Sequence, residues 1–97
     1  MKSITVQELR ERVGVPLIDV REPEEYAAGR VPGAVNLPMS QIGDLLDQLP
    51  DGAFDVICAA GVRSARVVEA LESRGYEATN VDGGTNTWEG LGFPIER

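Results

Sequence analysis

What most restricts the fold of this chain is a short stretch near its middle. The apolar run Phe54-Asp55-Val56-Ile57 passes into Cys58-Ala59-Ala60-Gly61-Val62-Arg63-Ser64, and from Ser64 a helical pattern continues to Arg74. A strand that hands the chain straight to a helix is half of a strand–helix–strand unit, and such units build parallel sheets. The junction also carries chemistry. It sets a thiol at the positive end of a helix dipole, in a loop whose successive amides can turn inward as an anion-binding nest. Surroundings of that kind lower a thiol pKa and make it a nucleophile.

The rest of the chain repeats the alternation. Thr5 and Glu8 form a capping box, Ile4 and Leu9 a hydrophobic staple, and Val6, Leu9 and Val13 recur at helical spacing up to Gly14, a candidate left-handed stop. Residues 16–20 read as a strand buried on both faces, broken only by Asp19. Asp19 reads as a strand-end residue that ties down neighbouring loop amides, rather than as a catalytic acid. Arg21 with Glu22, Glu24 and Glu25 reads as a structural ion-pair set. Pro23 opens a short helix over 23–28 that stops at Gly29. A turn at Val31-Pro32-Gly33 precedes a second buried strand at 34–37. Ser40 is placed to cap a helix with Ile42, Leu45, Leu46 and Leu49 on one stripe, ended by Pro50-Asp51-Gly52.

Beyond the loop, Val67, Val68 and Leu71 share one helix face, with Arg66, Glu69, Glu72 and Arg74 toward water. Gly75 and Tyr76 fit a Schellman end in which Tyr76 packs on Leu71. Residues 78–81 form a fourth strand. After Asp82-Gly83-Gly84, Thr85 can cap a last short helix whose Trp88 is a core anchor. The expected fold is a single small α/β domain over residues 1–97, with a mainly parallel sheet covered by helices on both faces. Ligands in such sheets bind beyond the carboxyl ends of the strands, which is where Cys58 lies.

Composition excludes several kinds of chemistry. The chain has no histidine and one cysteine. It therefore has no Ser-His-Asp or Cys-His catalysis, and a zinc site would need carboxylates almost alone. No metal or cofactor is expected. A formal charge of −7 disfavours nucleic acid and anionic membranes. No apolar run approaches the ~20 residues of a membrane span, and Met1-Lys2-Ser3 opens no signal peptide. A lone thiol fits a reducing cytoplasm.

A free cysteine titrates near pH 8.5, so lowering its pKa by about two units takes roughly 2.7 kcal/mol of preference for the anion. A helix terminus supplies typically about 0.3–1 kcal/mol, and about 2 at best. Hydrogen bonds from the amides of Ala60 to Ser64 must therefore carry most of the activation, with the charge of Arg63 helping. Gly61 lets the backbone turn tightly around the sulfur. A cation at a helix N-terminus is unfavourable by itself, which implies an anion beside Arg63.

The loop resembles the active-site loop of single-domain rhodanese-like sulfurtransferases, with their Cys-x-x-Gly-x-Arg-Ser pattern. Leu17-Ile18-Asp19-Val20-Arg21-Glu22 followed by Gly29-Arg30-Val31-Pro32-Gly33-Ala34 is similar to that family's upstream signature. Asp82-Gly83-Gly84, Trp88 and Gly92-Phe93-Pro94 are similar to its C-terminal one. The position after Gly29, usually histidine in the family, is Arg30, read as a surface variation. The resemblance implies Cys58 as nucleophile and Ala59, Ala60, Gly61, Val62, Arg63 and Ser64 as the substrate-binding loop. The implied partners are a sulfur donor such as thiosulfate and a thiol, cyanide or sulfur-acceptor protein. One alternative is a sulfur-carrier or interaction module. Another is a cysteine phosphatase or arsenate reductase, although those loops hold one residue more between Cys and Arg than the four found here.

Overall fold

In the computed structural model, which describes residues 1–97, five parallel strands form one sheet. They are β1 (Lys2–Ile4), β2 (Leu17–Asp19), β3 (Val35–Asn36), β4 (Phe54–Ile57) and β5 (Ala78–Val81), in the order β1-β5-β4-β2-β3. β4 is central. It pairs with β2 through Ile18 opposite Val56 and Asp19 opposite Ile57, and with β5 through Phe54 opposite Ala78. Every residue of β2 and β4 is buried, as a parallel strand covered on both sides requires.

The strand period of two sorts β4 between two cores. Phe54, Val56 and Cys58 point to one side, where Val67, Val68 and Leu71 of α3 (Val62–Glu72) pack with Ile18, Val20 and Leu49. Ile57 points to the other side, into a cluster with Val6 and Leu9 of α1 (Val6–Glu11) and Trp88 of α4 (Gly84–Gly90). The helix over Pro23–Ala28, α2, leaves from the end of β2. The expected α/β fold with helices on both faces is thus the one observed.

Several local expectations hold in detail. The Thr5–Glu8 capping box forms in both directions, at 3.1 and 2.9 Å. The Schellman end of α3 is complete: Tyr76 N–H donates to the Leu71 carbonyl at 3.1 Å, Gly75 N–H to Glu72 at 2.9 Å, and Gly75 has φ +89°. Trp88 is buried, and its Nε1 donates to the Pro94 carbonyl at 2.6 Å.

Others need correction. β1 has no signal in the sequence, because its three largely exposed residues carry no apolar pattern. α1 stops at Glu11, so Val13 lies outside it and is exposed; Gly14 is left-handed but falls beyond the position that would end the helix. The strand expected at 34–37 shrinks to Val35–Asn36 and lies at the sheet edge, with Val35 exposed rather than buried. The helix expected after Ser40 is instead a pair of 3-10 turns, Ile42–Asp44 and Leu46–Gln48. Gly43 and two aspartates are weak helix formers in a segment bounded by Pro38 and Pro50. Its Ile42, Leu45, Leu46 and Leu49 still pack on the core, but Ser40 donates to the Glu22 carboxylate and caps nothing.

Candidate active site

Cys58 ends the central strand, and the chain turns over its sulfur before entering α3. The turn depends on Gly61, which caps α3 with φ +95°. A Cβ on Gly61 would press on the backbone at Gly83, at 3.2 Å, so the loop and the Asp82-Gly83-Gly84 segment touch backbone to backbone. Gly61 N–H donates to Cys58 Sγ at 3.1 Å, and Ser64 Oγ lies 3.2 Å from the same sulfur. Both Cys58 and Ser64 are fully buried.

The thiol is balanced between opposing influences. Burial pushes its pKa up. The Ser64 hydroxyl and the amides of Ser64, Gly61 and Ala60 pull it down, and the donors win: the pKa lies below that of an ordinary cysteine. The structure thus brings Cys58, Ala60, Gly61 and Ser64 together around the sulfur. Ala60 and Val62 expose their side chains at the rim, and Ala59 is half-buried.

Arg63 is held elsewhere. Its Nη1 and Nη2 donate to the two carboxylate oxygens of Glu25 at 2.7 and 2.9 Å, in a pair about one-third exposed. That carboxylate is the anion the sequence implied, and it comes from α2 rather than from a ligand. The pair draws the Glu25 pKa down to about 2. The ion-pair set expected around Arg21 is accordingly redistributed. Buried Arg21 clasps Asp19 with Nη2 at 2.7 Å and Nε at 3.0 Å, and its guanidinium also donates to the carbonyls of Glu25 and Gly29. Asp19 accepts the Arg21 N–H as well, at 3.0 Å, which is the loop-tying role expected of it.

Sequence reasoning missed the back of the loop. The first turn of α4 faces it: Thr85 N–H and Oγ1 donate to the Cys58 carbonyl at 2.9 and 3.1 Å, and Asn86 N–H to that of Ala59 at 2.9 Å. Thr85 therefore does not cap its own helix; Gly83 occupies that position. Gly84, with φ +58°, has no room for a Cβ against the Cys58 and Ala59 carbonyls. Asn80, buried at the end of β5, donates to Asp82 at 3.0 Å and to the Gly61 carbonyl at 3.5 Å. Arg30 is more than a surface variation. It pairs with Glu96, lies 4.7 Å over the Tyr26 ring, and shares a backbone bridge with Glu96.

A lone thiol at the carboxyl end of a central parallel strand, ringed by neutral hydrogen-bond donors at a helix N-terminus, defines an α/β domain whose loop favours the anionic form of its one sulfur. Comparison with known proteins narrows the class: the model of the rhodanese-like domain matches residues 5–91, and the chain belongs to that family. YtwF of Bacillus subtilis, which bears the name sulfurtransferase provisionally, is 38% identical over 95 residues, covering 93% of this chain and 92% of its own length. A protein of Allochromatium vinosum named sulfurtransferase is 35% identical over 91 residues, covering 92% of this chain and 85% of its own. The crystal structure of a rhodanese-like domain protein from Staphylococcus aureus superimposes over the whole of both chains, with TM-score 0.88 and 43% identity. No helix here is long and apolar enough to cross a membrane.

Proposed function

We propose that this protein is a rhodanese-type sulfurtransferase that carries sulfane sulfur on Cys58, taken from thiosulfate or a persulfide and passed to a thiol, cyanide or an acceptor protein. The observation that carries this reading is the buried Cys58 Sγ within 3.1 Å of the Gly61 N–H and 3.2 Å of Ser64 Oγ. In the first step the thiolate attacks the outer sulfur of the donor. An Sγ–S bond forms, the donor S–S bond breaks, and its electron pair leaves on sulfite. The leaving group is already an anion and needs no general acid, which suits a chain without histidine. In the second step an external nucleophile attacks the outer sulfur of the Cys58 persulfide, and the thiolate departs into the same nest of donors. This is a ping-pong cycle. The acceptor is external because the chain has no second cysteine.

The substrate loop in this reading is Ala59, Ala60, Gly61, Val62, Arg63 and Ser64, and residues 1–97 act as one domain. The names of the YtwF and A. vinosum relatives support the transfer. A reducing cytoplasm suits a thiol that must stay free between turnovers. Mass spectrometry after incubation with thiosulfate, and in parallel with an organic persulfide, tests the reading. One added sulfur atom, removed by reductant and absent from Cys58→Ser, is expected. An unchanged mass with both donors, or sulfur on the Ser variant, refutes it.

A further inference from the structure

We infer that Glu25 sets the donor specificity of the loop: by holding Arg63 it makes the site favour sulfane sulfur borne on an organic thiol over the thiosulfate dianion. The inference rests on the reading of Cys58 as the sulfur carrier. Its basis is the bidentate pair at the loop mouth, in which both carboxylate oxygens of Glu25 engage both terminal nitrogens of Arg63. The carboxylate is itself anchored, because Glu25 Oε1 accepts the Glu22 N–H at 3.0 Å in the capping box of α2. It is ionised across the neutral range, with its pKa drawn down to about 2 by Arg63.

No other cation replaces Arg63 at the sulfur. Arg21 is committed to Asp19. Arg66, further along α3, lines a separate small groove with Met39, Ile42, Val67, Ala70 and Leu71. Activation of the thiol comes first from a hydroxyl and backbone amides, with the attraction between Arg63 and the sulfur added to them. The loop is therefore equipped to stabilise one sulfur anion, but it has no uncommitted cation for a second anionic group. Thiosulfate brings two negative charges to this mouth, and sulfite leaves with two. An organic persulfide transfers the same atom with less charge: Cys58 Sγ bonds to the outer sulfur, the donor S–S bond breaks, and the electron pair departs on a singly charged thiolate.

The test measures loading of Cys58 by thiosulfate and by ethyl persulfide, in wild type and in Glu25→Gln. The amide keeps the acceptor for the Glu22 N–H, so the helix cap survives while Arg63 is released from its counter-charge. Wild type should load faster from ethyl persulfide. Glu25→Gln should raise kcat/KM for thiosulfate about fivefold, through KM, the scale on which an exposed ion pair competes for its partner. Its rate with ethyl persulfide should change less than about twofold. Glu24→Gln, which removes a neighbouring exposed charge that touches no arginine, should change neither donor. Glu25→Ala repeats the comparison with no acceptor left at the position. A folded Glu25→Gln whose thiosulfate KM is unchanged or higher overturns the inference while leaving sulfur transfer standing. Failure of both donors to load wild type overturns sulfur transfer itself, and the inference with it.

Discussion

Ser64 shows how much one buried residue decides. Its side chain is fully buried, points at the sulfur, and offers a hydroxyl where a first-turn helix residue usually faces water. Without it the sulfur would keep the penalty of burial and lose the strongest of the influences that oppose it. Ser64→Ala is therefore expected to move the alkylation profile of Cys58 to higher pH and to slow alkylation at neutral pH roughly three- to tenfold, the scale of one lost hydrogen bond. Iodoacetamide kinetics across pH, on a variant shown to be folded, check this. An unmoved profile would assign the activation to the backbone amides alone. Arg63 sits beside Ser64 in sequence, yet its neighbour in space is Glu25 of α2. Adjacent residues of one loop thus serve different ends, one toward the sulfur and one across the mouth.

Two helices meet the loop from opposite sides. α3 presents its first amides to the sulfur, while α4 presents its own to the carbonyls of Cys58 and Ala59. The peptide units that carry the thiol are thereby satisfied on both faces, which keeps the nest rigid and its N–H groups inward. The contact requires Gly84. In Gly84→Ala the new Cβ would collide with backbone oxygens that cannot move without opening the loop, at a φ of +58° that already disfavours a side chain. We expect a loss of about 3 kcal/mol from overpacking and strain together, read from urea denaturation. Sulfur loading of the residual folded protein should fall with it. The 3-10 turns between Pro38 and Pro50 make the complementary point, since their leucines reach the core without any helical stripe.

On the scale of the whole molecule, the central strand holds one buried ionisable group near its start and leads to another just past its end. Cys58 lies at its carboxyl end. Asp55 lies deep in the sheet with Oδ1 on Arg12 Nη2 at 3.2 Å and Oδ2 without a partner. Burial raises the Asp55 pKa and Arg12 only partly offsets it. A carboxyl with a raised folded pKa binds its proton more tightly when folded. Stability from this group therefore falls as pH rises through the window between the ordinary and the raised value, and the cost is complete above it. Glu25 acts in the opposite sense: its contribution is present above its ordinary 4.5 and is lost as pH falls toward 2. Asp55→Asn removes the buried charge and keeps an acceptor for Arg12, whose own side chain is one-third exposed and stays hydrated. The variant should be more stable than wild type by roughly 1 kcal/mol at pH 7. The difference should vanish as pH approaches the ordinary carboxyl range. Urea midpoints measured from pH 4 to 8 check this, and a constant difference would contradict the assignment.

The features legible in the sequence were those written within a few residues of one another. The capping box at Thr5 and Glu8, the Schellman end at Gly75, the buried runs of β2 and β4 and the strand-to-helix turn at Cys58 each join groups at most a helical turn or two apart, so residue type and spacing suffice to specify them. Which distant group answers a local need was decided only by the tertiary structure. Arg63 required an anion, but that it is Glu25, 38 positions away, depends on how α2 leaves the end of β2. The Cys58 carbonyl required a donor, but that it is Thr85, 27 positions on, depends on β5 lying beside β4 and turning at Gly83 and Gly84. Local patterns settle which groups need partners because those needs arise within a turn of chain. The partners themselves are settled by the order of strands in the sheet, which brings the ends of β2, β4 and β5 to one edge whatever their distance in sequence.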